Sequence, residues 1–461
     1  MDDLRNQVIG VDEMVPTLCG QMVRYVNLDN AATAPAMRTA LAAVEAILPH
    51  YSSVHRGAGH KARRCTSAYE DARRTLGEFL GANADHDVTV FTKNTTEAIN
   101  KLARSMPIDD DAVVLTTVLE HHSNDLPWRS RVRTVHIGAT ACDGRLDLED
   151  VDRQLARHAG RVAILVVSGA SNVTGVMPPI HDLARRVHAV GGRILVDAAQ
   201  LAPHQPIDMR PHDDPEHLDF VALSAHKMYA PFGSGAIVGR RDTFGNAPNH
   251  SGGGTVDAVT LDDIAWADLP HREEAGTPNL LGAVAFAAAA STLREIGWKR
   301  IVDHERELRI RTLAGLAKIP GLRVTGPRDA ESAIGVIPFT IEGMAHGLIA
   351  AILGYEHGIG VRSGCFCAHP YVAHLLGLDN DEAREWAQRV RHGDKRDAPG
   401  MVRVSFGLYN DYTDVDRLLA ALRRVAAGLF SGTYRSDSHG EYHPIGAAPV
   451  SESGRRMIET R

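Results

Sequence analysis

Cysteine is scarce in this chain, with five in 461 residues. So few thiols in a chain of this length make no disulfide scaffold and point to a reduced, cytoplasmic setting. An excess of one charge is missing too. Lys and Arg number 50 against 57 Asp and Glu, a formal net charge of -7, and the cations are scattered rather than blocked. That balance offers nothing to a nucleic acid or an anionic membrane. No apolar run reaches membrane-spanning length, and the Ala-rich stretch 282–292 is too short. The opening residues, Met-Asp-Asp-Leu-Arg-Asn, lack the basic and apolar regions of a secretory signal. No internal repeat appears.

What is present is an alternation. Short apolar, mostly β-branched runs at 88–92, 112–116, 131–137, 162–167, 193–196 and 220–223 read as strands. Helical patterns separate several of them, and polar residues gather where the runs end. This predicts an α/β fold with a mostly parallel sheet and a ligand at the carboxyl ends of its strands. The helices expected at 281–292 and 298–316 lead to a second region of shorter strands (322–324, 333–341, 401–406) and helices (346–355, 412–429). The expected division is an N-terminal segment, 1–25, packing as a small helix on the smaller domain, and a large domain at 26–295. A smaller α+β C-terminal domain covers 296–430, and a polar tail with little order of its own covers 431–461. A charged stretch, 379–400, lies inside the small domain.

The stretch from Leu218 to Gly235 carries the chemistry. Its apolar run delivers Ser224, His226 and Lys227 at a strand end and closes in a Pro/Gly loop. An unpaired ammonium there is costly to bury, whereas a lysine condensed with an aldehyde is neutral. A lysine holding pyridoxal 5'-phosphate (PLP) as a Schiff base is in that state; a lysine snorkelling into solvent is the plain alternative. Other strand ends favour the first reading. Asp197 is placed to face a pyridine nitrogen, Gln200 the ring hydroxyl, and His121 to stack on the ring. Thr96, in a hydroxyl-bearing turn that opens a helix, joins Ser224 and His226 as phosphate ligands.

Nine segments in order resemble a known family. They are Leu28-Asp29-Asn30-Ala31-Ala32-Thr33, Val54-His55-Arg56-Gly57, Asn94-Thr95-Thr96-Glu97-Ala98-Ile99-Asn100, Glu120-His121-His122-Ser123-Asn124 and Ser171-Asn172-Val173-Thr174-Gly175. The rest are Val196-Asp197-Ala198-Ala199-Gln200, Ser224-Ala225-His226-Lys227, Glu274-Ala275-Gly276-Thr277-Pro278-Asn279, and Arg362-Ser363-Gly364 with Cys367-Ala368. The chain resembles the class V aminotransferase superfamily of fold-type I PLP enzymes, and within it group II cysteine desulfurases and selenocysteine lyases.

The resemblance implies a PLP-dependent transferase with a large, mostly parallel domain and a smaller C-terminal one. Lys227 matches the cofactor-holding, proton-shuttling lysine; Asp197, Gln200 and His121 match the ring partners. Thr96, Ser224 and His226 match phosphate ligands, and Thr277 a phosphate contact from the other subunit of a homodimer. Arg403 matches the substrate-carboxylate arginine, and His55, Arg56 and Asn172 fall at substrate-side positions. Cys367 matches the nucleophile that takes sulfur from an amino-acid substrate as a persulfide, to be passed to an acceptor protein. Cysteine converted to alanine is the implied reaction; another C–S or C–Se lyase (selenocysteine lyase, cysteine lyase) or an epimerase is the alternative. The chain departs from the group II pattern at Cys365-Phe366, where histidines are usual, and in the 379–400 stretch and the tail. Cys365, Cys367 and His369 are too few for a closed zinc site, so no metal is expected there.

Overall fold

The computed structural model of the protein describes residues 2–245, 247–396 and 398–446. Its large sheet has seven strands: β1 (Asp87–Thr92), β2 (Val113–Thr117), β3 (Arg133–Ile137), β4 (Val162–Ser168), β5 (Arg193–Asp197), β6 (Phe220–Ser224) and β7 (Gly235–Arg240). They lie in the order β1-β7-β6-β5-β4-β2-β3. Strands β2 to β6 run parallel, while β7 is antiparallel to both of its neighbours.

Side chains alternate across the sheet with a period of two, yet both faces are dry. Leu115, Leu165, Val196 and Leu223 enter one core with Leu76, Leu183 and Phe286 from helices His60–Phe79, Ile180–His188 and Leu280–Ile296. Val114, Ile164, Leu195 and Ala222 enter another with Ile99, Leu102 and Trp128 from helices Thr95–Ser105 and His122–Arg129. No single helix among the described residues is long and apolar enough to cross a membrane.

Strand β7 is not among the runs expected from sequence, where the Pro/Gly loop ends at Gly235 and 236–240 carry no assigned element. Its run Gly-Ala-Ile-Val-Gly-Arg becomes a strand because β1 and β6 offer unpaired edges on both sides. Gly235 is required there by contact: a Cβ would stand 2.6 Å from Asn94 Cα and 2.8 Å from the Leu223 carbonyl oxygen. That close approach seats the start of helix Thr95–Ser105 against the end of β6.

A four-stranded antiparallel sheet forms the second layer, in the order Leu322–Val324, Val336–Ile341, Met401–Ser405, Arg362–Gly364. Phe339, Val402, Leu418 and Leu422 anchor its own core. The two regions nevertheless share packing, since Val336, Phe366, Tyr371 and Met401 belong to the large core. Strand Val26–Asn27 pairs in parallel with Ile359–Gly360 and ties the start of the chain to the small region.

The N-terminal segment and the tail depart from the expectations, and the charged stretch, for which no element was expected, gains one. The N-terminal segment is a short helix, Asp2–Asn6, plus a hairpin of Met14–Pro16 and Met22–Arg24. Leu4 and Val8 join the large core, while Leu18 N–H donates to the Tyr355 carbonyl at 2.6 Å, so the segment touches both regions. The charged stretch contains a helix, Asn380–Arg391, started by a capping box between Asp379 and Glu382. Residues 434–444 form a hairpin, Tyr434–Ser436 with Tyr442–Pro444. Its order is borrowed: the Glu356 carboxylate accepts from Ser431 N–H at 2.9 Å, Gly432 N–H at 2.8 Å and Tyr434 Oη at 2.9 Å. The remainder of the expected tail, 447–461, lies outside the described residues.

Gly235→Ala should lower the urea midpoint by the equivalent of about 1–3 kcal/mol, the usual range for an overpacked site. An unchanged midpoint would mean that the helix start moves freely away from β6.

Candidate active site

A cavity of about 380 Å³ opens at the carboxyl ends of β4, β5 and β6. Lys227 enters it from a single helical turn, Ala225–Lys227, directly after β6. Burial pulls its pKa down to about 8; Asp197 opposes the fall and Arg403 adds to it. The lysine is therefore an amine with an appreciable neutral fraction near neutral pH, suited to attack a carbonyl. Asp197 ends β5 beside it. Burial raises this carboxyl above its usual range, and its Oδ1 accepts from Ala199 N–H at 3.0 Å. A buried carboxylate so thinly supplied with donors is set to receive one more. Gln200 is held near by its own Nε2, which donates to the Ala31 carbonyl at 2.7 Å.

His121 faces the same space from the start of helix His122–Arg129. Its Nδ1 accepts from Ser123 N–H at 3.1 Å, which puts the ring proton on Nε2. Burial first, then Lys227, His122 and Arg403, lower its pKa to about 3, so the ring is neutral and can lie against a cationic partner. Beneath it Glu120 accepts from Thr117 Oγ1 (2.6 Å), Asn124 Nδ2 (2.7 Å), Ser168 Oγ (2.6 Å) and Ser168 N–H (3.1 Å). That network fixes the turn carrying His121 to the end of β4.

The start of helix Thr95–Ser105 makes the far wall. Asn94 caps it by accepting from Glu97 N–H at 3.0 Å. Thr95 N–H donates to Ser224 Oγ at 3.3 Å, and Thr96 Oγ1 lies 2.7 Å from Ser123 Oγ. Thr95 Oγ1 is buried with no hydrogen-bond partner. His226 closes the corner; burial lowers its pKa to about 4, so it is a neutral donor or acceptor.

The opposite wall comes from the small region. Arg403 is 3% exposed and bridges two segments: Nη1 donates to the Asn172 carbonyl at 2.8 Å and Nη2 to Asp29 Oδ1 at 3.0 Å. Its Nε is buried without a partner, and burial lowers its pKa only to about 10, so the guanidinium stays charged. Asp29 Oδ2 also pairs with Arg362 Nη2 at 2.8 Å. The loop between carries the thiol. Asn172 Nδ2 donates to the Phe366 carbonyl at 2.6 Å, and the Phe366 ring lies 5.0 Å from the Arg403 guanidinium. Phe366 and Cys367 both sit in the left-handed region, each at φ 54°, a costly conformation for side-chain-bearing residues. It turns Phe366 into the core and leaves Cys367 exposed at the cavity. Cys365 turns away and donates Sγ–H to the Pro399 carbonyl at 2.9 Å.

Ten expected residues thus line one cavity: Lys227, Asp197, Gln200, His121, Thr96, Ser224, His226, Asn172, Arg403 and Cys367. His55 and Arg56 line a different cavity with His271, and Thr277 lies on a third. Cys365, Cys367 and His369 are not among the described clusters whose ligand atoms converge. The sequence reading missed Asp29, Thr95 and Glu120. All three stand inside the quoted motifs, but each depends in part on a distant partner: Arg403, Ser224 and Ser168 respectively.

An α/β sheet presenting a half-buried lysine beside a buried carboxylate at adjacent strand ends, roofed by a second region, is the fold-type I architecture. The aminotransferase class-V family model matches residues 26–418. The chain belongs to that family. A probable cysteine desulfurase of Streptomyces coelicolor is 33% identical, over 87% of this chain and 92% of that protein. A probable cysteine desulfurase 2 of Mycobacterium leprae is 35% identical over 88% and 92%. The apo structure of a cysteine desulfurase from Thermococcus onnurineus superposes with a TM-score of 0.79 at 30% identity, covering 93% of this chain and 98% of that one.

The family implies PLP, and the residues present fit it on three counts. The donor-poor Asp197 suits a pyridinium N–H, the neutral His121 ring suits a cationic ring face, and the helix start with its unpartnered Thr95 hydroxyl suits a phosphate.

Asp29→Ala would free both arginines and leave Arg403 buried without its carboxylate. Amino-acid binding should weaken at least tenfold and the melting temperature should drop, because a stranded buried charge costs about 3–5 kcal/mol. Unchanged binding in a titration would show that Arg403 holds its place without Asp29.

Proposed function

We propose that the protein is a PLP-dependent cysteine desulfurase that converts L-cysteine to L-alanine and carries the sulfur on Cys367 as a persulfide. The observation that supports it most is that Cys367 lines the same cavity as Lys227, Asp197 and Arg403, with its thiol exposed. Lys227 would hold the cofactor, with Asp197, Gln200 and His121 around the ring and Thr96, Ser224 and His226 around the phosphate. When bound, PLP supplies an electron sink that makes the substrate's sulfur open to a nucleophile.

The chain's own residues do the rest. Arg403 clamps the substrate carboxylate; its unpartnered Nε–H offers a donor that needs no rearrangement. Asn172 holds the Phe366 carbonyl and so sets the thiol loop. His55 and Arg56, which line a different cavity of this chain, are proposed on the substrate side from the family resemblance alone. Lys227 Nζ takes the proton from the substrate Cα and returns a proton as alanine forms. The Cys367 thiolate attacks the substrate sulfur: a new S–S bond forms, the C–S bond breaks, and its electron pair leaves with carbon. Sulfur then passes to an acceptor protein. A homodimer is proposed, with Thr277 serving the partner's phosphate; its place away from this chain's own cavity is in keeping with that role. A reduced cytoplasmic setting suits the exposed thiol.

Two tests follow. Lys227→Ala should lose the borohydride-reducible link to the cofactor, and Cys367→Ser should keep the yellow cofactor but lose persulfide and most alanine formation. Full activity of Cys367→Ser on cysteine would replace the desulfurase reading with a C–S lyase. The second test reads the two thiols apart. Burial, with Cys367 beside it, raises Cys365 to about 11, so near pH 7 roughly one Cys365 in ten thousand is thiolate. Of these two thiols iodoacetamide should label Cys367 first, with the exposed Cys19 and Cys142 mapped separately, and labelling of Cys365 should rise about tenfold per pH unit up to about pH 11. Peptide mapping that finds Cys365 labelled before Cys367 at neutral pH would move the nucleophile from Cys367 to Cys365.

A further inference from the structure

At the end of the sheet opposite the cavity, His188, His217 and Asp219 converge. His188 ends helix Ile180–His188, and Asp219 immediately precedes β6. The five residues of β5 separate this corner from Asp197 by roughly 17 Å of strand. Nothing in the reaction proposed above uses these residues.

The two rings are fixed in one tautomer. His188 Nδ1 lies 2.8 Å from the Pro215 carbonyl and His217 Nδ1 lies 2.8 Å from the Asp214 carbonyl. A carbonyl only accepts, so each Nδ1 carries the proton. The neutral rings then point Nε2 lone pairs at one carboxylate: His188 Nε2 is 2.8 Å from Asp219 Oδ2, and His217 Nε2 is 3.3 Å from Oδ1. Lone pair against anion is repulsive, so something positive must lie between. Two added protons are one solution. They would place two imidazolium rings face to face, with centroids 4.3 Å apart and planes 19° from parallel. Arg240 Nη1 already stands 3.8 Å from the same carboxylate, and a third ring, His212, stacks on His217 at 5.3 Å.

One divalent ion replaces both protons and gives all three lone pairs a common acceptor. All three ligand atoms lie within 4.8 Å of one another; ligands about 2.0 Å from a tetrahedral zinc stand about 3.3 Å apart, the spacing His217 Nε2 and Asp219 Oδ1 already have, while His188 Nε2, 2.8 Å from Oδ2, has only to draw back slightly. The Nδ1–H to carbonyl bonds are the outer contacts that orient metal-binding histidines. Asp219 is further held by Ile194 N–H, which donates to Oδ2 at 2.8 Å. The His188 side chain keeps 17% of its surface exposed, against 9% for His217 and 2% for Asp219. That leaves one side open for entry and for a water as fourth ligand.

We propose that His188, His217 and Asp219 form a site for a first-row divalent cation, zinc by its borderline nitrogen and oxygen ligands, which pins the end of helix Ile180–His188 and the loop before β6 to the sheet.

The test uses the full-length, cofactor-loaded protein stripped with a chelator and titrated with zinc ions alone. Wild type should bind one more equivalent by calorimetry than either His188→Gln or His217→Gln, and zinc should raise its melting temperature. In each variant affinity at this site should fall by more than about 100-fold, since losing an outer contact alone reaches that. Cofactor content should be the same in all three, which separates the result from a folding failure. Equal stoichiometry in wild type and both variants, or no thermal shift in wild type at micromolar free zinc, would overturn the proposal and leave two imidazoliums on Asp219.

Discussion

The structure turns on placing a half-buried Lys227 beside a buried Asp197. Each would be costly to bury alone, and each shifts toward neutrality because of it: the lysine falls and the carboxyl rises. Adjacent parallel strands ending at the same level bring the pair together, with neighbours that supply few competing hydrogen bonds. A pair left this short of partners serves a third group better than it serves stability. The glycine contact that seats helix Thr95–Ser105, the Glu120 network under His121 and the neutral His226 all preserve that arrangement.

A second constraint joins the two regions. Arg403 comes from the small sheet, yet its partners are Asp29 from the start of the chain and Asn172 from the end of β4. The same Asn172 holds the thiol loop through Phe366. In the proposed reaction a substrate carboxylate held by Arg403 would therefore sit at the joint between regions, beside Cys367. The left-handed backbone at Phe366 and Cys367 is paid for by the burial of the Phe366 ring and its contact with the guanidinium. The two thiols of the loop consequently live in different surroundings, although one residue separates them: Cys365 faces the Pro399 carbonyl and Cys367 faces the cavity.

The chain's own sequence determined much of this. Dry β-branched runs alternating with helical patterns specify a parallel sheet, because only burial on both faces makes such runs favourable. Polar residues stationed after those runs, Lys227 and Asp197 foremost, mark the ligand end, because a strand terminus is where a polar group escapes the core. Tertiary structure alone decided the remainder. Strand β7 exists because two neighbours lend it hydrogen bonds, and the hairpin at 434–444 because Glu356 accepts from the Ser431 and Gly432 amides just before it and from Tyr434 Oη. Asp29 and Arg403 are 374 residues apart, and His188 meets Asp219 across 31. No local preference encodes such meetings; they arise only when packing brings distant charges to one point and burial obliges them to pair.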